Sequence, residues 1–318
     1  MPAPNQITGT LTASGRIDKS LAEASGLSRE RIKALIAQGA VTIGQATATN
    51  PSAKMQVGAH FSITLPPVVD PVAQPQDIAI DVVFEDDHLI VVNKAADMVV
   101  HPAAGNQDGT LVNALLHHCA KSGAGRLSGI GGVARPGIVH RIDKGTSGLL
   151  VVAKSAMAHE GLASQFADHS IHRHYIAICA GHPNPAEGTI EGRLGRSAFN
   201  RKKMAVLPDD AKRGKHAVTH YRTVERMNDF SILKCRLETG RTHQVRVHCA
   251  SIGHALLGDP TYGQTPAKWK PILQELGFAR QALHAASLGF VHPADGEYVE
   301  FHADLPRDMQ ELIDQAYR

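Results

Sequence analysis

The stretch His140-Arg141-Ile142-Asp143-Lys144-Gly145-Thr146-Ser147-Gly148-Leu149-Leu150-Val151-Val152-Ala153-Lys154 sets one carboxylate among basic residues, in a loop that runs into an apolar, β-branched segment. Leu149 to Ala153 reads as a buried strand. Asp143 then sits at the entrance to that strand. Positive charge on Arg141 and Lys144 favours an ionised carboxyl, and a carboxylate held this way can act as a nucleophile. An Asp in a turn before a strand also commonly caps backbone N–H groups, so the rest of the chain has to bear on its role.

Working outward, Asp81–Phe84 and Leu89–Val92 read as two strands around a tight acidic turn, and Ile138–His140 reads as a strand leading into the Asp143 loop. Further strands are expected over Tyr175–Ala180 and Phe230–Cys235. Thr242 is placed to cap a helix ending at Gly253, and Leu305-Pro306 opens a last helix through Met309, Leu312 and Ile313. The pattern is α+β without regular βαβ alternation, and no internal repeat is visible. The segment Gly129–Ala134 fits a dinucleotide-binding pattern on paper but is expected to be a flexible loop that opens no helix toward a pyrophosphate. The His140–Asp143 echo of a kinase catalytic loop lacks both the preceding Gly-rich loop and a following Asp-Phe-Gly.

Proline density in Pro66-Pro67-Val68-Val69-Asp70-Pro71-Val72-Ala73-Gln74-Pro75 marks an extended linker. The expected organisation is a flexible N-terminus (1–13), a small domain (14–65), a linker (66–77) and a large domain (78–318). In the small domain, Ile17 to Ala24 reads as a helix. Ser28 caps a second helix with Ile32, Leu35 and Ile36 inward and Gly39 at its end, and Val41-Thr42-Ile43 then starts strands.

The 318 residues are 43% hydrophobic and 20% charged, the composition of a globular chain. No apolar run approaches the ~18 residues of a membrane span, and Met1 to Gln6 lacks the features of a signal peptide, so a cytoplasmic protein with no membrane partner is expected. Cys119, Cys179, Cys235 and Cys249 form no C-x-x-C pair and are expected to be reduced, mostly buried thiols and no zinc site. His169, His172 and His174 lie close together but have no matching acidic or Cys ligands. The net charge of +3 announces no polyanionic partner by itself. Its distribution does more: Arg193, Arg196, Arg201, Lys202, Lys203, Lys212, Arg213, Lys215, Arg222 and Arg226 face only Asp209, Asp210 and Glu225, a basic patch or hairpin fit to contact phosphates.

Four separated motifs resemble, in order, the signatures of the RNA pseudouridine synthases that modify ribosomal RNA. They are His140–Leu149, Arg173-His174-Tyr175, Leu237–His248 and Gly253–Gly263. Arg135–Val139 and Asn93-Lys94 before Val99-Val100-His101-Pro102 are most similar to the large-subunit subfamily D. The resemblance covers nearly the whole chain beyond its first dozen residues. It implies a catalytic domain built on a mixed, largely antiparallel sheet flanked by helices, with no cofactor and no metal. It maps Asp143 onto the catalytic carboxylate, Tyr175 onto the tyrosine that stacks on the target base, and Arg246 onto the arginine that ion-pairs with the Asp. Arg141 maps onto the residue that fills the helix when uridine flips out, and Arg241 and His243 onto the RNA-binding surface.

The segment Gly15–Leu65 resembles an S4 domain through Arg16-Ile17-Asp18-Lys19, Ser28–Ile32 and Gly39-Ala40-Val41, which implies that Arg16, Lys19, Arg29 and Lys33 face RNA. A monomer acting on large-subunit rRNA is the implied assembly. The alternatives are a ribosome-assembly factor without activity, a sister synthase with another RNA target, and a glycosidase. The last normally needs two site carboxylates, where one is evident. The chain departs from the family pattern at Ile142 (commonly Leu), at Gly145 (often acidic), at Ala95-Ala96-Asp97 (usually Pro-Ala-Gly) and at Ala255 (often Pro). Gly145 is expected to loosen the Asp143 loop.

Overall fold

The computed structural model describes residues 5–65, 72–103, 105–123, 126–133, 135–200, 203–208, 210–263 and 265–317. Part of the expected linker (66–71) lies outside these residues, as do Arg201, Lys202 and Asp209 of the basic stretch. The chain forms two compact units, Met1–Asp70 and Pro71–Arg318.

In the first unit β1 (Asn5–Thr10), β2 (Gly15–Arg16), α1 (Ile17–Ser25), α2 (Arg29–Ala37), β3 (Val41–Ile43), β4 (Ala46–Thr47), β5 (Lys54–Met55) and β6 (His60–Leu65) follow one another. The strands form a sheet ordered β1-β6-β3-β4 and a β2-β5 pair. Ile17, Leu21, Ile32, Leu35 and Ile36 on one face of the two helices close a core with Val41, Phe61 and Ile63. The Ser28 side chain accepts from the Arg31 amide, and Gly39, at φ 69°, follows the end of α2. Within the flexible tail expected over 1–13, residues 5–10 form a strand and residues 1–4 lie outside the described residues. From Asn5 the chain pairs along the whole of β6, because Ile7 and Leu11 have core to cover. The later part of the expected linker is also fixed, held to the second unit: the amides of Ala73 and Gln76 donate to the carbonyls of Val133 and Asn113, and Asn113 Nδ2 donates to the Gln74 carbonyl.

The second unit contains β7 (Asp81–Glu85), β8 (Leu89–Lys94), α3 (Leu111–Ser122), β9 (Ser147–Ala153), α4 (Ala156–Ala167), β10 (His172–Ala180), β11 (Glu187–Arg196), β12 (Met204–Leu207), β13 (Lys215–Arg226), β14 (Phe230–Leu237), α5 (Gln244–Ser251), α6 (Trp269–Glu275), β15 (Leu283–Val291), β16 (Tyr298–His302) and α7 (Arg307–Ala316). One sheet runs β12-β11-β13-β14-β10-β15-β9-β8-β7, with β16 also on β15. Its pairs are antiparallel except β9 with β15, so the fold is α+β with a mixed, largely antiparallel sheet. The middle strands are apolar on both faces. Ile90, Val92, Leu150 and Val152 face a core with α3 and α5, while Leu89, Val91, Leu149 and Val151 face α4.

Three local expectations change. Ile138–His140 is no strand, since only Ile138 bridges to Val152 before the chain leaves the sheet for the Asp143 loop. Gly129–Gly131 forms a single 3-10 turn whose Ile130 amide donates to Ser128 Oγ. Thr242 does not cap α5: His243 occupies the cap position in left-handed conformation, and the buried Gln244 side chain takes the Arg241 amide.

The parallel seam between β9 and β15 depends on a glycine. Gly148 has φ 112° and pairs with Ala285, and a Cβ on it would lie 2.6 Å from the Ala285 nitrogen. Gly148→Ala is therefore expected to cost roughly 2–4 kcal/mol through backbone strain plus overpacking. Urea unfolding followed by circular dichroism checks this, and a midpoint equal to that of the wild type would show that the seam yields.

Candidate active site

The Asp143 loop leaves the sheet just before β9 and is fastened at three consecutive residues. Lys94, 2% exposed, donates from Nζ to the carbonyl oxygens of Ala95 (2.7 Å), Met98 (2.8 Å) and Lys144 (3.2 Å). Burial, with the Arg280 charge, takes its ammonium down to about 7 against the pull of Asp97 and Asp143. Arg280 Nη1 donates to the Gly145 carbonyl at 3.1 Å while its Nε and Nη2 grip Asp308. Gln281 Nε2 donates to Thr146 Oγ1 at 2.9 Å. The loop is thus stapled where Gly145 was expected to loosen it. A Cβ on Gly145 would come 2.8 Å from Gln281 Oε1, so the missing side chain admits the staple.

Facing this loop, α5 presents Arg246, which is buried. Its Nη1 donates to Asp143 Oδ2 at 2.9 Å, and its Nε and Nη2 donate to Asp259 at 2.7 and 2.9 Å. Its guanidinium also lies 5.1 Å from the centre of the Tyr262 ring. Burial opposes the Arg246 charge, but the hydrogen bonds and charges of Asp259 and Asp143 outweigh it and hold the group above its ordinary value. Burial likewise works to raise Asp259. Arg246 and the amides of Thr261 and Tyr262 prevail and keep its carboxyl below the usual range. Asp259 is thus a second carboxylate in the cluster, where the sequence suggested one. Both of its oxygens are engaged, so it orients Arg246 and is not free to act on a substrate.

A small open cleft beside this cluster is lined by Arg141, Asp143, Arg173, Tyr175, Arg241, His243 and Arg246, among others. Arg141 is exposed at its edge. Tyr175, on β10, is 7% exposed, and burial together with the Asp143 charge raises its phenol against the influence of Arg173, so the hydroxyl stays protonated. Arg241 Nε donates to the His216 carbonyl. His243 Nδ1 shares a hydrogen bond with the Tyr262 hydroxyl at 2.7 Å, and its Nε2 is 3.9 Å from Asp143 Oδ1. Burial lowers the His243 imidazole, against the charges of Asp143 and Asp259, which favours the neutral ring.

Lys94, Arg173, Asp259 and Tyr262 all stand in the quoted motifs but drew no role from them. Arg173 is buried with no partner on Nε, two residues before Tyr175 on the same strand face. The alternation of β10 carried that signal. Arg16, Lys19, Arg29 and Lys33 belong to the other unit. Arg16 and Arg29 converge on the fully buried Asp18, at 3.1 and 2.8 Å, and Lys33 pairs with Glu30 at 2.9 Å. His172 meets the Tyr298 hydroxyl and His174 meets Ser287. Among the described residues no group of three or more His, Cys, Asp or Glu is arranged to hold a metal ion.

The cleft's cluster coincides with a family match. Residues 88–251 match the RNA pseudouridylate synthase family. Ribosomal large subunit pseudouridine synthase D of Zymomonas mobilis is 57% identical over 300 residues, 94% of this chain and 92% of that protein. The chain belongs to the RNA pseudouridine synthase family. An uncharacterized RNA pseudouridine synthase of Bacillus subtilis is 47% identical over 95% of this synthase and 94% of its own length. Among solved structures, human RNA pseudouridylate synthase domain containing 4 shares the fold, with a TM-score of 0.58 at 22% identity over 74% of this chain and 93% of that one.

Asp259→Asn tests the orienting carboxylate. The substitution keeps the shape but removes the charge that fixes Arg246. We expect pseudouridine formation to fall on the order of 10–100-fold in kcat through misplacement of Asp143, with RNA affinity little changed. Single-turnover kinetics beside a binding titration separate the two, and an unaltered kcat would remove Asp259 from the machinery.

Proposed function

We propose that this enzyme converts uridine to pseudouridine in large-subunit (23S) ribosomal RNA, with Asp143 as the catalytic carboxylate. The observation that carries this reading is the single available carboxylate of the cleft, held by Arg246 beside the Tyr175 ring. The names of the relatives support the ribosomal target.

In the reaction the N1–C1′ bond breaks, the uracil turns in place, and C5 bonds to C1′ while the proton on C5 is lost and N1 gains one. The change is an isomerisation in which every non-hydrogen atom of the nucleoside is kept and one hydrogen exchanges with solvent. Both reacting centres are inaccessible in a stacked base, so the target uridine leaves the helix, and Arg141 at the cleft's edge occupies the space it vacates. Tyr175 offers its face to the base. Arg246 holds Oδ2 of Asp143, and Oδ1 lies 3.9 Å from His243 Nε2, with both residues lining the cleft. Arg241 and His243 contact RNA around the target. A cytoplasmic enzyme is the reading that goes with a ribosomal RNA target, which the relatives' names support; among the described residues no helix is long and apolar enough to cross a membrane.

Asp143→Asn keeps size and most hydrogen bonding but removes the charge, so product should vanish while RNA binding persists. Tritium release from C5-labelled uridine RNA measures this, and turnover comparable to the wild type would reject Asp143. Mapping pseudouridines in rRNA from a strain lacking the protein, then with it restored, reports activity and target together.

The first unit is proposed to be an S4 domain that adds affinity. Exposed Lys19 and solvent-facing Lys33 can be removed without orphaning a buried partner, whereas Arg16 and Arg29 neutralise Asp18. In a Lys19→Ala/Lys33→Ala variant the salt slope of RNA binding should fall by roughly 0.7–0.9 for each lost phosphate contact, with kcat at saturating RNA kept. An unchanged slope across a salt titration would mean that these lysines do not meet the RNA backbone.

A further inference from the structure

The chain has eight phenylalanines, and every one except Phe199 packs in a hydrophobic core. Phe199 is 102% exposed. It stands at the tip of the hairpin that joins β11 to β12, where Arg196 pairs with Met204. Ser197 Oγ accepts from the amides of Phe199 and Asn200 at 3.2 Å each, the Ser197 amide donates to the Lys203 carbonyl, and the Lys203 amide donates to the Asn200 carbonyl. The amides of Ser197, Phe199, Asn200 and Lys203 thus find partners locally, and the Phe199 ring is left exposed. In sequence, Phe199 lies among Arg196, Arg201, Lys202 and Lys203 with no acidic residue between them.

The foot of this hairpin is bolted to the active site. The Met204 amide donates to the Tyr262 hydroxyl at 2.9 Å, and that hydroxyl bonds His243 while its ring faces Arg246. The tip extends beyond this anchor by the few residues of the turn, at most on the order of 10–15 Å. An exposed aromatic ring with cations on either side of it in the sequence is the combination that stacks on an unpaired base while basic groups meet the flanking phosphates. Apolar packing against a protein surface would not need the cations.

We infer that Phe199 is a base-stacking residue: its ring binds an unpaired nucleotide of the RNA substrate near the target uridine and helps to choose the substrate. The assignment rests on the proposed reaction on ribosomal RNA. The contact forms with both substrate and transition state, because it is remote from the reacting bonds. It therefore acts on KM and leaves kcat unchanged.

The chain's one tryptophan, Trp269, is 4% exposed, so Phe199→Trp places the only exposed indole at the tip. Phe199 packs against no core, so the fold tolerates the change. Full-length Phe199→Trp titrated with deproteinised large-subunit rRNA from cells lacking the enzyme should show indole quenching and protection from iodide, and should keep the wild-type KM. Phe199→Ala should raise KM roughly ten- to hundredfold, the effect of losing one stacked base, with kcat within about twofold of wild type. An indole that stays bright and iodide-accessible with RNA bound overturns the inference, as does a wild-type KM for Phe199→Ala. Quenching by intact large subunits but not by deproteinised rRNA overturns it too, by assigning the tip to a protein partner. If the wild-type enzyme makes no pseudouridine in that RNA, the proposed target falls, while the quenching still reports whether the tip stacks on a base.

Discussion

Everything around the cleft depends on one buried guanidinium. Arg246 cannot sit uncompensated in the interior, since an unpaired charge there costs several kcal/mol, and its donors are shared between two carboxylates of different standing. Asp259 is itself buried and tied to two backbone amides, so it belongs to the frame. Asp143 takes the remaining donor from a loop. The two acids differ in solvation: Asp259 is wholly enclosed, while Asp143 keeps an opening to solvent. The same cation lies against Tyr262, whose hydroxyl reaches both His243 and the first residue of β12, so the helix, the Asp259 turn and a hairpin share one junction.

The second constraint acts on the loop from below. Lys94, Arg280 and Gln281 each hold one of the three residues following Asp143, two through backbone carbonyls and one through a hydroxyl. Backbone carbonyls are indifferent to side-chain identity, so the exposed residue 144 can vary in chemistry while the position of Asp143 is kept, whereas at 145 the lack of a side chain leaves room for Gln281. A carboxylate fixed before substrate arrives does not have to be ordered during the reaction.

Periodicity and caps made much of the scaffold legible. The short, continuous apolar and β-branched runs at Leu89–Val92 and Leu149–Ala153, the Ser28 cap and the Gly39 stop are local signals, and the elements stand where those signals put them. The motifs, not the periodicity, linked Asp143 with Arg246, residues that the structure sets 2.9 Å apart. Asp259 and Lys94 were visible as letters only, because their roles come from burial and from partners remote in sequence. Thr242 looked like a cap because local pattern favours a hydroxyl. The core instead offered Gln244 the partners Thr239, Val218 and Thr219, and tertiary bonding won. The N-terminal strand was missed because its few apolar residues make sense only opposite β6.

The lone parallel seam also has a temporal meaning. Ser147 and Gly148 pair with His284 and Ala285, so the strand that leads out of the Asp143 loop finds its neighbour only when the chain has been made out to β15. Leu283, from the same late strand, lines the cleft. During synthesis the first unit can therefore close its core while the cleft is still missing a wall, since domains fold in order as they emerge. Pairings of such long sequence separation form slowly. A ribosome stalled before β15 would release a protein with its N-terminal unit complete and no working catalytic centre.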